Sequence, residues 1–227
     1  MSPHPLDEPV WASLTGAHHH LAEGTGLARR YPPDVSPFCA LAAAGDERAW
    51  ADLRDVAGAG ARVMLPGLDA APPAGVRLVR DLPGVQLVAT GALDARPDPE
   101  ALELGEDDVP EVLDLVERTR PGPFGRRTRL LGTYLGIRDG AGRLVAVAGE
   151  RLHPPGFTEI SAVCTDPAAR GRGLASRLVR AVAAGILARG ETPFLHAAAE
   201  NTGAVRLYGS LGFRQRRTVA FPLVELP

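Results

Sequence analysis

One short segment constrains this chain more than any other. Val163–Ser176 reads VCTDPAARGRGLAS. A β-forming run ends at Thr165, a proline-containing turn follows, and Arg170-Gly171-Arg172-Gly173-Leu174-Ala175 runs straight into a helix. Leu174, Leu178, Val182 and Ile186 form an i, i+4 stripe that predicts a helix over Leu174–Ala188. Glycines at this junction let backbone N–H groups approach a ligand closely. The first N–H groups of a helix lack internal partners and carry the positive end of its dipole. Such a junction is an anion site, suited to a phosphate or pyrophosphate, and Arg170 and Arg172 can add charge-assisted contacts.

Composition narrows the chemistry. All 25 basic residues counted as Lys+Arg are Arg, so a phosphate-loop lysine, a Schiff-base lysine and a lysine base are excluded. The formal net charge of -2 supplies no global field for nucleic acid. The two cysteines, Cys39 and Cys164, make no disulfide framework and fit a reducing cytosol. Asp7 and Glu8 interrupt any secretory pattern at the N-terminus, and the most apolar window, Leu178–Leu187, is too short to span a bilayer and contains Arg180. A cytoplasmic protein with no membrane partner is expected.

Patterning along the chain predicts an α/β fold, an α+β sandwich around one central mixed β-sheet flanked by helices. Ala92–Glu100, ALDARPDPE, reads as a linker or exposed loop and separates a first part, residues 1–95, from a second, 96–227. In the first part Glu47–Val56 is an expected amphipathic helix with Trp50, Leu53 and Val56 on one face. Arg62–Leu65, Val76–Val79 and Val85–Val88 are expected strands. His18-His19-His20 is expected as a surface loop rather than a metal site, because adjacent side chains diverge. In the second part a helix opening at Asp107-Asp108 should bury Val109, Val112, Leu113 and Val116. Hairpin strands Thr133–Ile137 and Arg143–Leu152 follow, then strands at Phe157–Thr165 and Thr192–Ala197. A helix over Asn201–Leu211 is capped by Asn201 and Gly212, and a last strand spans Thr218–Val224.

The anion segment does not match a dinucleotide fingerprint. Ser176 stands where a third glycine would, and the segment follows an antiparallel hairpin late in the chain. The pattern Arg/Gln-x-x-Gly-x-Gly/Ala is present as Arg170, Gly173 and Ala175. About 25 residues on, LHAAAENTGAVRLYGSLGF carries Asn201, Ala204, Tyr208, Gly212 and Phe213 at the spacing Asn-x-x-Ala-x-x-x-Tyr-x-x-x-Gly-Phe. Together these resemble the GNAT superfamily of acyl-CoA-dependent N-acyltransferases over roughly Leu102–Val224. Residues 1–95 resemble the divergent, degenerate acetyltransferase-like half found in some GNAT proteins.

The resemblance implies a GNAT fold whose fourth and fifth strands splay to admit the pantetheine arm, acetyl-CoA as co-substrate, and no metal. It assigns acetyl-CoA contacts to Val163, Cys164 and Thr165 on the strand, to Arg170, Gly171, Arg172, Gly173, Leu174, Ala175 and Ser176 at the turn, and to Asn201, Ala204 and Tyr208. The N–H near Val163 would steady negative charge on the thioester oxygen. Cys164 is read as a small core residue rather than a nucleophile. Tyr208 is the implied general acid toward the departing thiolate. His196, Glu159 and, behind them, Glu150 are the candidates for the base, and Glu200 is read as a first-turn charge. The implied activity is direct acetyl transfer to an amine in a ternary complex; a non-catalytic acetyl-CoA-binding protein is the alternative. The acceptor is a small molecule or peptide, and the protein a monomer or homodimer.

Overall fold

The computed structural model describes residues 4–68 and 70–227. In chain order the elements are α1 (Pro9–Thr15), β1 (Ala28–Arg30), β2 (Cys39–Leu41), α2 (Glu47–Ala57), β3 (Arg62–Met64), β4 (Arg77–Arg80), β5 (Pro83–Ala89), β6 (Leu102–Glu103), α3 (Val109–Thr119), β7 (Tyr134–Arg138), β8 (Leu144–Glu150), β9 (Phe157–Thr165), α4 (Leu174–Ala188), β10 (Thr192–Ala198), α5 (Thr202–Leu211), β11 (Phe213–Ala220) and β12 (Leu223–Glu225).

Seven strands form the central sheet in the order β11-β5-β10-β9-β8-β7-β6. Only β9 and β10 run parallel; the other pairs are antiparallel, so the sheet is mixed as expected. Every residue of β8, LVAVAGE, is buried, which is what a strand covered on both faces requires. On one face α4 sets Leu178, Val179, Val182 and Ile186 against Ala146, Ala148, Ile160 and Leu195. Each such fully buried aliphatic side chain contributes about 1.5–3 kcal/mol of transfer free energy. The opposite face is covered by the N-terminal part, where Leu6, Val10, Leu14, Tyr31 and Phe38 meet Leu152 and Phe194, and by α3, where Leu115 and Val116 meet Val147 and Cys164. A small sheet, β3-β12-β4, and the β1–β2 pair complete that layer under α2.

Several local expectations change. The strand predicted over Thr218–Val224 is two strands. Phe221 and Pro222 break it, and β12 leaves the central sheet to pair with β3 and β4. Proline has no N–H to continue a ladder. The helix α3 buries Val112, Leu115 and Val116, so Leu115 takes the place expected for Leu113. His18 is not on the surface: it is 5% exposed and its Nδ1 lies 2.8 Å from the Tyr31 hydroxyl, whereas His19 and His20 are exposed.

The boundary expected between 95 and 96 is not a boundary of the sheet. β5 lies before it, yet sits between β10 and β11. Nor is the 92–100 stretch a free linker. Arg177 of α4 holds Asp98 through two hydrogen bonds of 2.7 Å and reaches Glu100 at 2.9 Å. At the other end, a Cβ at Gly212 would stand 2.6 Å from the Leu93 amide nitrogen. The φ of +102° there also favours glycine, so the chain crosses closely at the end of α5.

Candidate active site

The parallel pair β9–β10 is in register only from Phe157 with Thr192 to Ile160 with Leu195. Past that point β9 continues to Thr165 and β10 to Ala198 without pairing to each other, and a cleft of about 1050 Å³ opens between them. β9 is also bulged against β8, with a register shift between Val147 and Gly149. Ala162 sits in the bulge at φ +53°. A left-handed alanine costs roughly 1–2 kcal/mol, so the surrounding pairing must impose it. The bulge redirects the last residues of β9, Val163–Thr165, along the cleft wall.

At the end of β9 the chain makes the turn to α4. Gly171 and Gly173 adopt φ +77° and +74°, and among the described residues no heavy atom beyond their chain neighbours lies within 4 Å of where their Cβ atoms would be. Gly173 is the N-cap of α4 and brings no side-chain cap, which leaves the first amides of that helix facing the cleft mouth. Arg170 and Arg172 are exposed beside it. A buried Thr165 hydroxyl on the same wall has no hydrogen-bond partner among the described residues. The open glycine turn, the uncapped amides and the unpartnered hydroxyl together make a site suited to an anionic ligand.

Of the residues expected at the site, Val163, Cys164, Thr165, Arg170, Gly171, Gly173, Leu174, Ala175, Ser176, His196, Asn201, Ala204 and Tyr208 line this one cleft; Arg172 and Glu159 do not. The Asn201 side chain accepts from the Ala204 amide at 3.1 Å and starts α5, which carries Tyr208. Burial pushes the Tyr208 phenol up to about 12, so it holds its proton at neutral pH. Cys164 is buried with Leu115 and Val147, and desolvation raises its thiol, which suits packing rather than nucleophilic attack.

The three candidate bases separate cleanly. His196 borders the cleft. Glu159 is 0% exposed and lies behind it: Arg151 binds it through Nε at 2.8 Å and Nη2 at 2.5 Å, and His196 Nδ1 lies 2.7 Å from its Oε1. Burial alone would raise this carboxyl, but Arg151 and then His196 outweigh it and hold it at about 2. Glu159 is thus a fixed anion that orients the imidazole, not a group in contact with the cleft. Glu150 is taken up by Arg189 at 2.8 Å, away from the cleft. Glu200 is exposed at the cleft rim.

Sequence reasoning missed Arg151, Gln86, Phe38 and Phe221. Arg151 stacks over Phe38, with Cζ 4.8 Å from the ring centroid, and Phe221 meets His196 edge-on at 5.4 Å. Gln86 carried a signal, since it is the one polar residue in the apolar run VQLV. Phe38 and Phe221 come from segments distant in the chain, and nothing local marks them.

This geometry has close counterparts. The FR47-like protein family matches residues 134–221. A crystal structure from Novosphingobium aromaticivorans DSM 12444, of a protein assigned to the GNAT family as an acetyltransferase, superposes with a TM-score of 0.90. It is 44% identical in sequence and covers 99% of this chain and 100% of that one. The chain belongs to the GNAT family of acetyltransferases. A GCN5-related N-acetyltransferase from Kribbella flavida shares the GNAT fold at a TM-score of 0.64 and 16% identity, over 96% of this chain and 95% of its own. Among curated relatives, the N-alpha-acetyltransferase RimI of Mycobacterium tuberculosis is 40% identical over 85 residues, 36% of this chain and 52% of that protein. Mycothiol acetyltransferase of Mycobacterium avium is 38% identical over 85 residues, 33% of this chain and 27% of that protein. The chain thus spans about half or less of the curated relatives it matches. No described helix is long and apolar enough to cross a membrane.

Proposed function

We propose that the protein is an acetyl-CoA-dependent N-acetyltransferase that moves the acetyl group directly to a primary amine with both substrates bound together. The observation that carries this reading is the convergence on one cleft of three independent features: the unpaired end of β9, the glycine-capped start of α4, and the proton-carrying side chains His196 and Tyr208. Coenzyme A would bring the activated acetyl thioester. The amides at the start of α4, with Arg170 and Arg172, would hold its phosphates, and the backbone of Val163–Thr165 its amide arm. His196 would take the proton the acceptor ammonium must lose, with Glu159 stabilising the imidazolium that results. Tyr208 would supply a proton to the thiolate.

The far end of the cleft belongs to the acceptor. Its wall is apolar, built from Phe38, Met64, Leu82 and Phe221, with Arg80 and Asp81 at the rim and the Arg151 guanidinium already satisfied by Glu159. Such a chamber fits one amine on a small apolar body better than a polycation, which needs several carboxylates. The N-terminal part therefore shapes specificity.

The test is release of free CoA thiol from acetyl-CoA across alkylamines, arylalkylamines, polyamines and N-terminal peptides. Amine-dependent release, greatest for apolar monoamines, is expected. Thermal stabilisation by acetyl-CoA with no release from any amine would refute catalysis and leave a binding protein.

A further inference from the structure

Gln86 faces His196 directly across the β5–β10 ladder and is 1% exposed. Its amide makes three contacts. Nε2 donates to the Leu6 carbonyl at 2.9 Å and lies 3.1 Å from His196 Nε2, and Oε1 accepts from Arg216 Nη1 at 3.0 Å. A guanidinium can only donate, so Arg216 fixes which end of the amide is oxygen. The NH₂ group then points at Leu6 and at the imidazole. One of its two hydrogens goes to the Leu6 carbonyl, and among the described residues the acceptor within reach of the other is His196 Nε2. That nitrogen must accept, so the ring proton resides on Nδ1, where Glu159 Oε1 receives it at 2.7 Å.

Arg216 is itself placed by an irregularity. In β11 Gln215 pairs with Leu87 and Arg217 with Gln86, and Arg216 is the extra residue between them. The bulge turns it inward to Gln86, where Asp7 of the N-terminal segment holds it at 2.5 Å. The charged groups around the ring are Glu159 from β9, Arg151 after β8, and the Arg216–Asp7 pair from β11 and the N-terminal segment. Phe194 and Phe221 close the ring's edges at 5.6 and 5.4 Å.

We propose that Gln86 is a positioning residue: clamped by Arg216 and the Leu6 carbonyl, it holds His196 in the Nδ1–H tautomer and occupies the Nε2 lone pair with an amide N–H until the acceptor's ammonium displaces it. This rests on the reading of His196 as base. Glu159 accepts from Nδ1–H, and a proton on Nε2 would face the Gln86 amide, another donor. An incoming ammonium then competes with one neutral N–H rather than with a charged group. The N-terminal part contributes to the chemistry through Leu6 and Asp7, not merely as a cover.

The test reads the ring itself. Ring-nitrogen NMR shifts of His196 in the free, full-length protein are expected to report the Nδ1–H tautomer. Gln86→Met should abolish that preference and move the protonation midpoint of His196 up by roughly half to one pH unit, the size of one lost hydrogen bond. Gln86→Glu should move it further, and Arg216→Met, which frees the amide to rotate, should move it less. The acid limb of kcat/KM should follow the same order. A wild-type ring protonated on Nε2, or one whose tautomer and midpoint are the same in Gln86→Met and Arg216→Met, overturns the proposal. If ring titration follows Gln86 while the pH–rate profile does not, Gln86 still positions the ring and it is the base assignment that fails.

Discussion

Replacing Glu159 by Gln isolates the most consequential electrostatic feature of the site. The carboxylate is 0% exposed and balances Arg151, a cation with only 11% of its side chain exposed. Gln keeps the shape but removes the charge, leaving a buried guanidinium without a counter-ion; breaking one side of such a pair costs about 3–5 kcal/mol. Linkage offers a second route to the number. Arg151 and His196 lower the carboxyl from its ordinary 4.5 to about 2. At about 1.4 kcal/mol per pH unit, that preference for the ionised form amounts to about 3 kcal/mol of folding stability. The sign follows from the depressed value. The folded state binds this proton less readily than the unfolded one, so the stabilisation is complete above about pH 4.5 and fades as pH falls toward 2. Urea unfolding of wild type and Glu159→Gln, run at pH 7 and at steps down to the acid limit of folding, should show a gap of about 3–5 kcal/mol that narrows below pH 4.5. The double variant Arg151→Met/Glu159→Met should recover much of the loss, because it leaves no buried charge unpaired. A gap under about 1 kcal/mol at pH 7, or one that ignores pH, would show that the pair is not the electrostatic unit described.

Tyr208→Phe should lower kcat by about 10²-fold while leaving acetyl-CoA binding within about twofold, measured by turnover and calorimetry; unchanged turnover would remove Tyr208 from the mechanism. Gly173→Val places a β-branched side chain at a left-handed position in the proposed phosphate site. Acetyl-CoA affinity should fall about tenfold or more by titration calorimetry, with little change for an acceptor-side ligand. Arg177→Ala should cost no more than about 1 kcal/mol in chemical denaturation, since the Arg177–Asp98 pair is partly exposed, yet should open residues 92–100 to limited proteolysis.

What could be read in the chain was what is local. The glycine turn into α4, the Asn201 cap and the i, i+4 stripe each follow from neighbours within a few residues, and the structure places them as patterned, whereas the strand expected over Thr218–Val224 is divided at Phe221 and Pro222. What could not be read depends on contacts made at long range. β5 looks like one more short apolar strand of the first part, yet it pairs with β10 and β11, more than a hundred residues later. Glu159 is a shorter-range case: it carries no mark in sequence that separates a base from a buried partner, and Arg151, eight residues away, comes against it only once the chain has folded. β5 inserts between β10 and β11, and so the ring of His196 touches residues from both parts of the chain: Glu159 on one nitrogen, and on the other Gln86, held by Leu6. A division of the protein into a catalytic part and an accessory part therefore fails at the proposed base, whose ring is held from both. Removing residues 1–95 would take away a central strand of the sheet and one of the two hydrogen-bond partners of the proposed base, so the second part cannot be expected to retain the activity of the whole.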